Sequence, residues 1–487
     1  MADVVIVGGG VGGLCSAIRL GAAGHRVTVL ERNAELGGKL TARVRDGFTF
    51  DTGPSLLTRP TVFDEVLALA GTSLAAECAP VRLDPQFAYH WPDGSSLRMP
   101  DGLDPAAEAV DAFSPGSGAA WRAFVEQGGR IWDVAERTFF AGPMERPTQL
   151  LGRMRSPLDL ARIDPFRTLA GAAASAFRDP RLVQWAGRYA TYSGSSPYRA
   201  PATLACIPAV EARYGAWYVP GGLGALRDTL VRAATAVGAE LRTGVPVTRV
   251  EATADRVTGV HTALGERLAA HVVVANVDAE ELYAHLLPDA AALRRVRRAE
   301  RSTSGFVVLA GVEGLTPGLA HHTVWFSGDY EAEFRSLVRD RRPAGDPTLY
   351  ACVSSVTDPT QAPAGDENWF LLVNAPVGGT VRWEAEADAY RDLLLERLAK
   401  RGVDLAGRLR FTEVITPDDL AARYRTPGGS IYGTSSNGRR AAFLRPANRG
   451  PRQGLYLVGG SSHPGGGLPL VATSARIVAA MAEDDGW

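Results

Sequence analysis

Cysteine is scarce: the 487 residues hold four, Cys15, Cys78, Cys206 and Cys352, far apart and without CxxC or metal-ligand spacing. That excludes a disulfide scaffold and a zinc ribbon, and it fits reduced thiols in a reducing compartment. Long apolar runs are missing too, none approaching the roughly 18 residues of a membrane-spanning helix. Net charge almost vanishes, −1 from 52 Lys+Arg against 53 Asp+Glu, so no nucleic-acid surface is expected. The first residues run straight into a strand with no basic n-region, so no signal peptide is expected. A cytoplasmic protein follows, at most peripheral on the inner face of the cell membrane. Neither an internal repeat nor a low-complexity tail is present. What remains is an ordinary globular composition, 46% hydrophobic and 22% charged, long enough for two or three domains with sizeable cores.

The informative segments stand at the two ends. Val4-Val5-Ile6-Val7 reads as a short buried parallel strand, followed by Gly8-Gly9-Gly10-Val11-Gly12-Gly13 and a helix-compatible run. Gly8, Gly10 and Gly13 occupy the three glycine places of a dinucleotide fingerprint in its strand–turn–helix context. They allow, in turn, a tight turn, close backbone approach to a pyrophosphate, and tight helix–strand packing. A second strand, Arg26-Val27-Thr28-Val29-Leu30, ends at Glu31, whose carboxylate suits ribose hydroxyls and would repel a 2′-phosphate. A further pair, Gly37-Gly38, lies beyond it in Arg32-Asn33-Ala34-Glu35-Leu36-Gly37-Gly38-Lys39. A NAD site has no use for that pair, whereas an extended FAD does.

Glu-Arg-x-x-x-x-Gly-Gly-Lys resembles the second fingerprint of glutathione-reductase-type flavoproteins, in the branch of amine oxidases, protoporphyrinogen oxidases and carotenoid desaturases. Many members carry Arg where this chain has Lys39. At the far end, a strand at 454–458 runs through Gly459-Gly460 into Ser461-Ser462-His463-Pro464-Gly465-Gly466-Gly467-Leu468-Pro469-Leu470-Val471 and a helix. With Gly429-Ser430-Ile431-Tyr432-Gly433-Thr434-Ser435-Ser436-Asn437 and Phe443-Leu444-Arg445-Pro446-x-Asn448-Arg449, this is similar to the bacterial phytoene desaturase family, acyclic carotenoid desaturases included. The resemblance implies an α/β protein in which a Rossmann-like FAD-binding domain is interleaved with an α+β substrate domain. It implies FAD contacts at Gly8, Gly10, Gly12, Gly13, Glu31, Arg32, Gly38, Lys39, Gly53, Pro54, Ser55, Val247, Gly460, Leu468, Leu470 and Val471. It also implies desaturation of a long acyclic isoprenoid, phytoene or a later carotenoid intermediate, hydroxylated or not.

The expected FAD-binding pieces are 1–70, 215–285 and 425–487, with the substrate domain at 71–214 and 286–424. In the inserts, 81–89 and 96–99 alternate around Pro92-Asp93-Gly94 as a hairpin. Residues 104–190 read mostly as helices, and 306–312, 348–354 and 369–374 as strands of a sheet floor. Thr416-Pro417-Asp418-Asp419 has the form of a capping box.

Desaturation takes a hydride and a proton from neighbouring carbons; the cofactor does the hard step while the protein aligns substrate and excludes water. One dinucleotide fingerprint without a second nucleotide site points to oxygen or a quinone as electron acceptor. Among eight histidines only His463 lies in a motif, as candidate proton relay or as a ring that packs and bonds backbone. His321-His322 reads as surface, and no metal site is expected. The interleaved apolar and basic stretch 150–169, with Arg153, Arg155, Arg162 and Arg167, reads equally as a membrane-facing entrance or as an amphipathic helix pair. Two other readings stay open: a related flavin oxidase of an amine, porphyrinogen or specialised metabolite, and a non-catalytic prenyl-binding chaperone of the GDP-dissociation-inhibitor type.

Overall fold

The computed structural model describes residues 1–438, 441 and 445–487. Phe443 and Leu444 of the C-terminal motif lie outside the described residues. Two sheets organise the chain. The first is parallel, with spatial order Leu455–Leu457, Val272–Ala275, Asp3–Val7, Arg26–Leu30, Glu240–Arg242. Its central strands are near-continuous runs of Val, Ile and Leu because both faces are covered. Ile6, Val29, Val274 and Tyr456 pack on the helices Val11–Ala22, Leu223–Ala236 and Leu468–Asp484. Val5, Val7, Val273 and Leu457 turn the other way, onto Val250, Val257 and Val260 of a three-stranded antiparallel sheet. The period of two along each strand divides the two cores.

The second sheet has seven strands, in the order Leu409–Ile415, Ser304–Val312, Glu367–Ala375, Leu349–Cys352, His322–Trp325, Phe87–His90, Ser96–Met99. One face, with Phe306, Val308, Trp369 and Leu371, packs on the helix Trp383–Lys400. The opposite face carries Val307, Leu309 and Phe370 against Phe48 and Phe50. Further along, Phe87, Tyr89 and Val324 meet the helices Gly118–Thr138, Pro180–Arg188 and Cys206–Tyr214. The apolar runs at 306–312, 348–354 and 369–374 thus all contribute strands to one sheet.

Two expectations need correction. The hairpin is shorter than 81–89 allows: Val81–Arg82 pairs with Trp217–Tyr218 instead, and only Phe87–His90 pairs with Ser96–Met99. Pro85 lies between the two pieces and has no N–H to give a ladder. His321 and His322 are not at the surface; they are 3% and 0% exposed at the start of an interior strand. The capping box forms: Asp419 N–H donates to Thr416 Oγ1 at 3.2 Å, and Thr416 N–H to Asp419 Oδ2 at 2.8 Å. Among the described residues no helix is long and apolar enough to cross a membrane.

Candidate active site

The glycine loop after the first strand is held shut from several sides. Gly8 has φ +100°, and a Cβ on Gly13 would lie 2.2 Å from the Gly8 carbonyl oxygen, so neither place accepts a side chain. Glu31, 4% exposed, accepts from Gly9 N–H through Oε2 at 2.8 Å and from Asn33 N–H and Nδ2 through Oε1 at 2.8 and 2.9 Å. A carboxylate has about four acceptor positions, so capacity remains for a ribose hydroxyl. Gly37 N–H donates to Gly9 O at 2.8 Å, and Gly10 bridges Gly37, which stacks the second glycine pair on the first loop.

The far end closes on the same spot. A Cβ on Gly12 would sit 3.2 Å from both Gly459 Cα and Val471 Cγ1. Asn276, just beyond the strand Val272–Ala275, donates from Nδ2 to Gly8 O at 3.1 Å. Its amide lies 2.9 Å from where a Gly10 Cβ would be and 2.6 Å from where a Gly459 Cβ would be. The sequence reading gave Asn276 no part; a lone polar residue at a buried strand's end was the available signal.

Three helix N-termini converge here, and they differ in how they are capped. Leu223–Ala236 is capped by Asp51, whose carboxylate accepts from Leu223 N–H at 2.8 Å and Gly224 N–H at 3.3 Å. Burial pushes the Asp51 carboxyl up to about 6, against the pull of those two N–H groups. Val11–Ala22 and Leu468–Asp484 begin at Gly10 and Gly467 with no side-chain cap. Open helix N-termini present unpaired N–H groups and a positive dipole end. Such ends receive phosphate and other negatively charged groups. A Cβ at Gly467 would meet nothing within 4 Å. Glycine cradles, an acid at the second strand's end and two open helix ends fit FAD.

Two half-buried cations border this region. Lys39 donates from Nζ to Ile431 O at 2.7 Å, and burial pushes its ammonium down to about 8 despite the pull of Asp278. Arg445 donates to Gly460 O at 3.0 Å, Tyr432 O at 3.2 Å and Thr434 O at 2.7 Å, and burial pushes it down to about 10. Arg445 thus ties the 429–437 loop to Gly460. A Cβ on Gly53 would lie 1.7 Å from Lys39 O, which brings the 53–55 segment against the second fingerprint. After Pro54, Ser55 Oγ lies 2.6 Å from Tyr350 Oη on the second sheet. Leu468 is buried, while Leu470 and Val471 are half-buried in the first turn of the last helix. Val247 opens an antiparallel strand anchored nearby, where Val245 N–H donates to Glu31 O at 2.8 Å. Arg32 is exposed and reaches Ala422 O at 3.4 Å, outside this gathering.

His463 is 1% exposed, edge-on to Phe139 at 4.6 Å, with Nε2 3.2 Å from Gly142 O. Burial pushes it down to about 4, so the ring is neutral at neutral pH. That geometry is the packing alternative for this residue, with a neutral ring fastened to backbone. In the 150–169 stretch, Arg153 turns inward and donates to the carbonyls of Thr138, Gly142 and Pro143. Arg162 pairs with Asp159 at 3.0 Å and Arg167 with Asp164 at 2.6 Å. Leu151, Leu158 and Phe166 of this stretch are 54%, 62% and 62% exposed.

The family profile of flavin containing amine oxidoreductases matches residues 11–482. The chain is 33% identical over 483 residues to a 4,4′-diapolycopene oxygenase of Methylomonas, covering 98% of this chain and 97% of that protein. It is 31% identical over 482 residues to a 4,4′-diaponeurosporene oxygenase of Staphylococcus aureus, with the same coverage. Among solved structures, an oxidoreductase of Methanosarcina mazei superposes with TM-score 0.66 at 16% identity, covering 99% of this chain and 100% of that one. A putrescine oxidase superposes with TM-score 0.64 at 17% identity, covering 99% and 98%. These structures share the fold.

Proposed function

The chain belongs to the flavin containing amine oxidoreductase family and is an FAD-dependent oxidoreductase, and from that we propose that it desaturates a long acyclic carotenoid or a related isoprenoid. The observation that supports the substrate class is similarity over nearly the whole length to two oxygenases named for diapolycopene and diaponeurosporene. When bound, FAD supplies the acceptor for the hydride; the rest is the work of side chains. The open N-termini at Gly10 and Gly467 and the ammonium of Lys39 offset the cofactor's negative charge. Glu31 takes ribose, Val247 borders the adenine, and Asp51 holds the central helix in place from the 51–55 segment. His463 fixes the C-terminal loop through Phe139 and Gly142.

Substrate orientation falls to the second sheet. A hydrocarbon polyene has no charged handle, so shape and burial must align it, at about 25 cal/mol per Å² of apolar area. Phe87, Val324 and Phe370 supply apolar area on the sheet's inner face. Oxygen or a quinone then serves as the final acceptor. Entry from a membrane surface near 150–169 is favoured by the exposed Leu151, Leu158 and Phe166 more than by the arginines beside them.

A second reading, oxygenation of the chain's end carbon, is favoured by the relatives' names. Expression in hosts making phytoene, neurosporene, a hydroxylated carotenoid or a diapocarotenoid, followed by mass spectrometry of the pigment, separates the two. Loss of hydrogen pairs is expected for desaturation. A gain of oxygen would replace that reading with the second, and unchanged pigment in every host would overturn both.

A further inference from the structure

Arg188 ends the helix Pro180–Arg188 and is 7% exposed, in the interior between the helical layer and the second sheet. Its guanidinium carbon lies over the rings of Phe87 at 4.7 Å, Tyr192 at 5.3 Å, Tyr89 at 5.7 Å and Tyr350 at 5.9 Å. Its hydrogen bonding is poor: Nη1 reaches Tyr192 Oη at 3.4 Å, and among the described residues no ion pair joins it to a carboxylate. The buried acid of this region, Glu211, is occupied, since its two oxygens accept from the hydroxyls of Tyr189 and Tyr192. A phenol therefore stands between the cation and the anion.

A guanidinium carries five N–H donors, and a buried charge without partners is costly. Ring faces offset part of the charge but take none of the in-plane donors. Beside the same rings, His322 stacks on Phe87 at 5.0 Å and leaves Nε2 buried with no partner. Its Nδ1 lies 2.9 Å from Tyr350 Oη, and that hydroxyl is the one 2.6 Å from Ser55, in the segment assigned to the flavin. The cage thus joins the apolar sheet face to the cofactor side and is short of an acceptor.

We propose that Arg188 and its ring cage recognise an oxygen function, a hydroxyl or a carbonyl, on the end of an otherwise apolar polyene. The inference rests on the isoprenoid reading above and deepens it. A neutral oxygen fits better than a carboxylate, because Glu211 already supplies one negative charge across Tyr192. The rings take the apolar carbons next to that oxygen, and the guanidinium takes its lone pairs.

The test uses the FAD-loaded protein and three probes: a linear polyene hydrocarbon, its terminal alcohol and its terminal aldehyde. Binding is read from the polyene absorbance and from quenching of tryptophan fluorescence. The parent should hold an oxygenated probe on the order of ten-fold more tightly than the hydrocarbon, as for a charge-assisted hydrogen bond. The alcohol and aldehyde arms tell the two oxygen sources apart. Arg188→Met should erase the preference while hydrocarbon affinity and flavin content stay unchanged. Arg188→Lys, a milder change, should keep the charge, lose the planar fork and reduce the preference in part. Full preference retained in either variant with flavin bound would overturn the proposal, as would a parent that binds all three probes equally. A parent that binds none of them would instead overturn the isoprenoid reading, and this inference with it.

Discussion

Lowering the pH from 7.5 to 5 should weaken the fold through His321 and His463, by an amount the structure sets. Burial pushes His321 down to about 3 and His463 down to about 4 from an ordinary value of 6.5. Below pH 6.5 the unfolded chain takes up a proton at each ring that the folded chain refuses until its own pKa is reached. Stability is therefore intact above 6.5 and is lost as the pH falls toward those lower values. At about 1.4 kcal/mol per pH unit below 6.5, each ring costs about 2 kcal/mol by pH 5. That is a large share of a typical 5–15 kcal/mol. Asp51 and Glu333 work in the opposite sense: burial pushes them up to about 6 and about 7, so acid relieves them. The parent's total change is consequently not diagnostic, and the comparison must be with His321→Gln and His463→Gln. His321 Nδ1 lies 2.8 Å from Thr357 Oγ1, a partner that a glutamine amide can keep. Urea unfolding followed by tryptophan fluorescence at both pH values gives the numbers. Each variant should show about 2 kcal/mol less acid destabilisation than the parent. Identical pH dependence in parent and variants would refute the argument.

Gly13→Ala should drive the last-placed methyl against Gly8 O, 2.2 Å from its ideal position, and cost about 1–3 kcal/mol by overpacking together with most bound flavin; a normal melting temperature and flavin ratio would count against the tight turn. Glu31→Gln removes the charge from an acceptor of Gly9 N–H and should weaken FAD by about 1.5–3 kcal/mol. Equal occupancy in a titration would sink the ribose assignment. Replacing Leu151, Leu158 and Phe166 together by Ser should reduce flotation with anionic vesicles more than charge reversal at Arg155, Arg162 and Arg167, since two of those arginines are already paired with acids. Unchanged flotation of the triple Ser variant would remove this surface as the entrance.

The dinucleotide loop was legible because its demands are local. Gly8, Gly10 and Gly13 are required by a turn, a close approach and a packing contact within a few residues, and Glu31 by the length of one helix and one strand. The inner sheet was legible as apolar runs, but the runs carried no register. The ring cage was invisible for that reason: Phe87, the Arg188–Tyr192 stretch, His322 and Tyr350 belong to separate segments that only sheet order and helix packing bring together. His321-His322 was misread because a polar pair suggests surface, while side chains on a strand point to opposite faces. His321 goes to Tyr218 and Thr357, His322 to Phe87 and Tyr350, and burial is fixed by those distant partners. The inward turn of Arg153 was hidden in the same way, its carbonyl partners at 138–143 being unknowable from its own neighbours in the chain.

The last strand, Leu455–Leu457, is an edge of the parallel sheet, and the helix after it covers the sheet beside Val11–Ala22. During synthesis the strand Asp3–Val7 is made long before the helix Leu468–Asp484, and the face that Ile6 and Val274 present stays partly uncovered until that helix is made. At about 5–20 residues per second, the several hundred residues between them take tens of seconds. A half-built sheet with a bare apolar face is the kind of species that aggregates. On the proposed reading, flavin is captured only once the segments at Gly10 and Gly467 have both been made, and removing the helix Leu468–Asp484 should yield an insoluble chain in place of a merely inactive one.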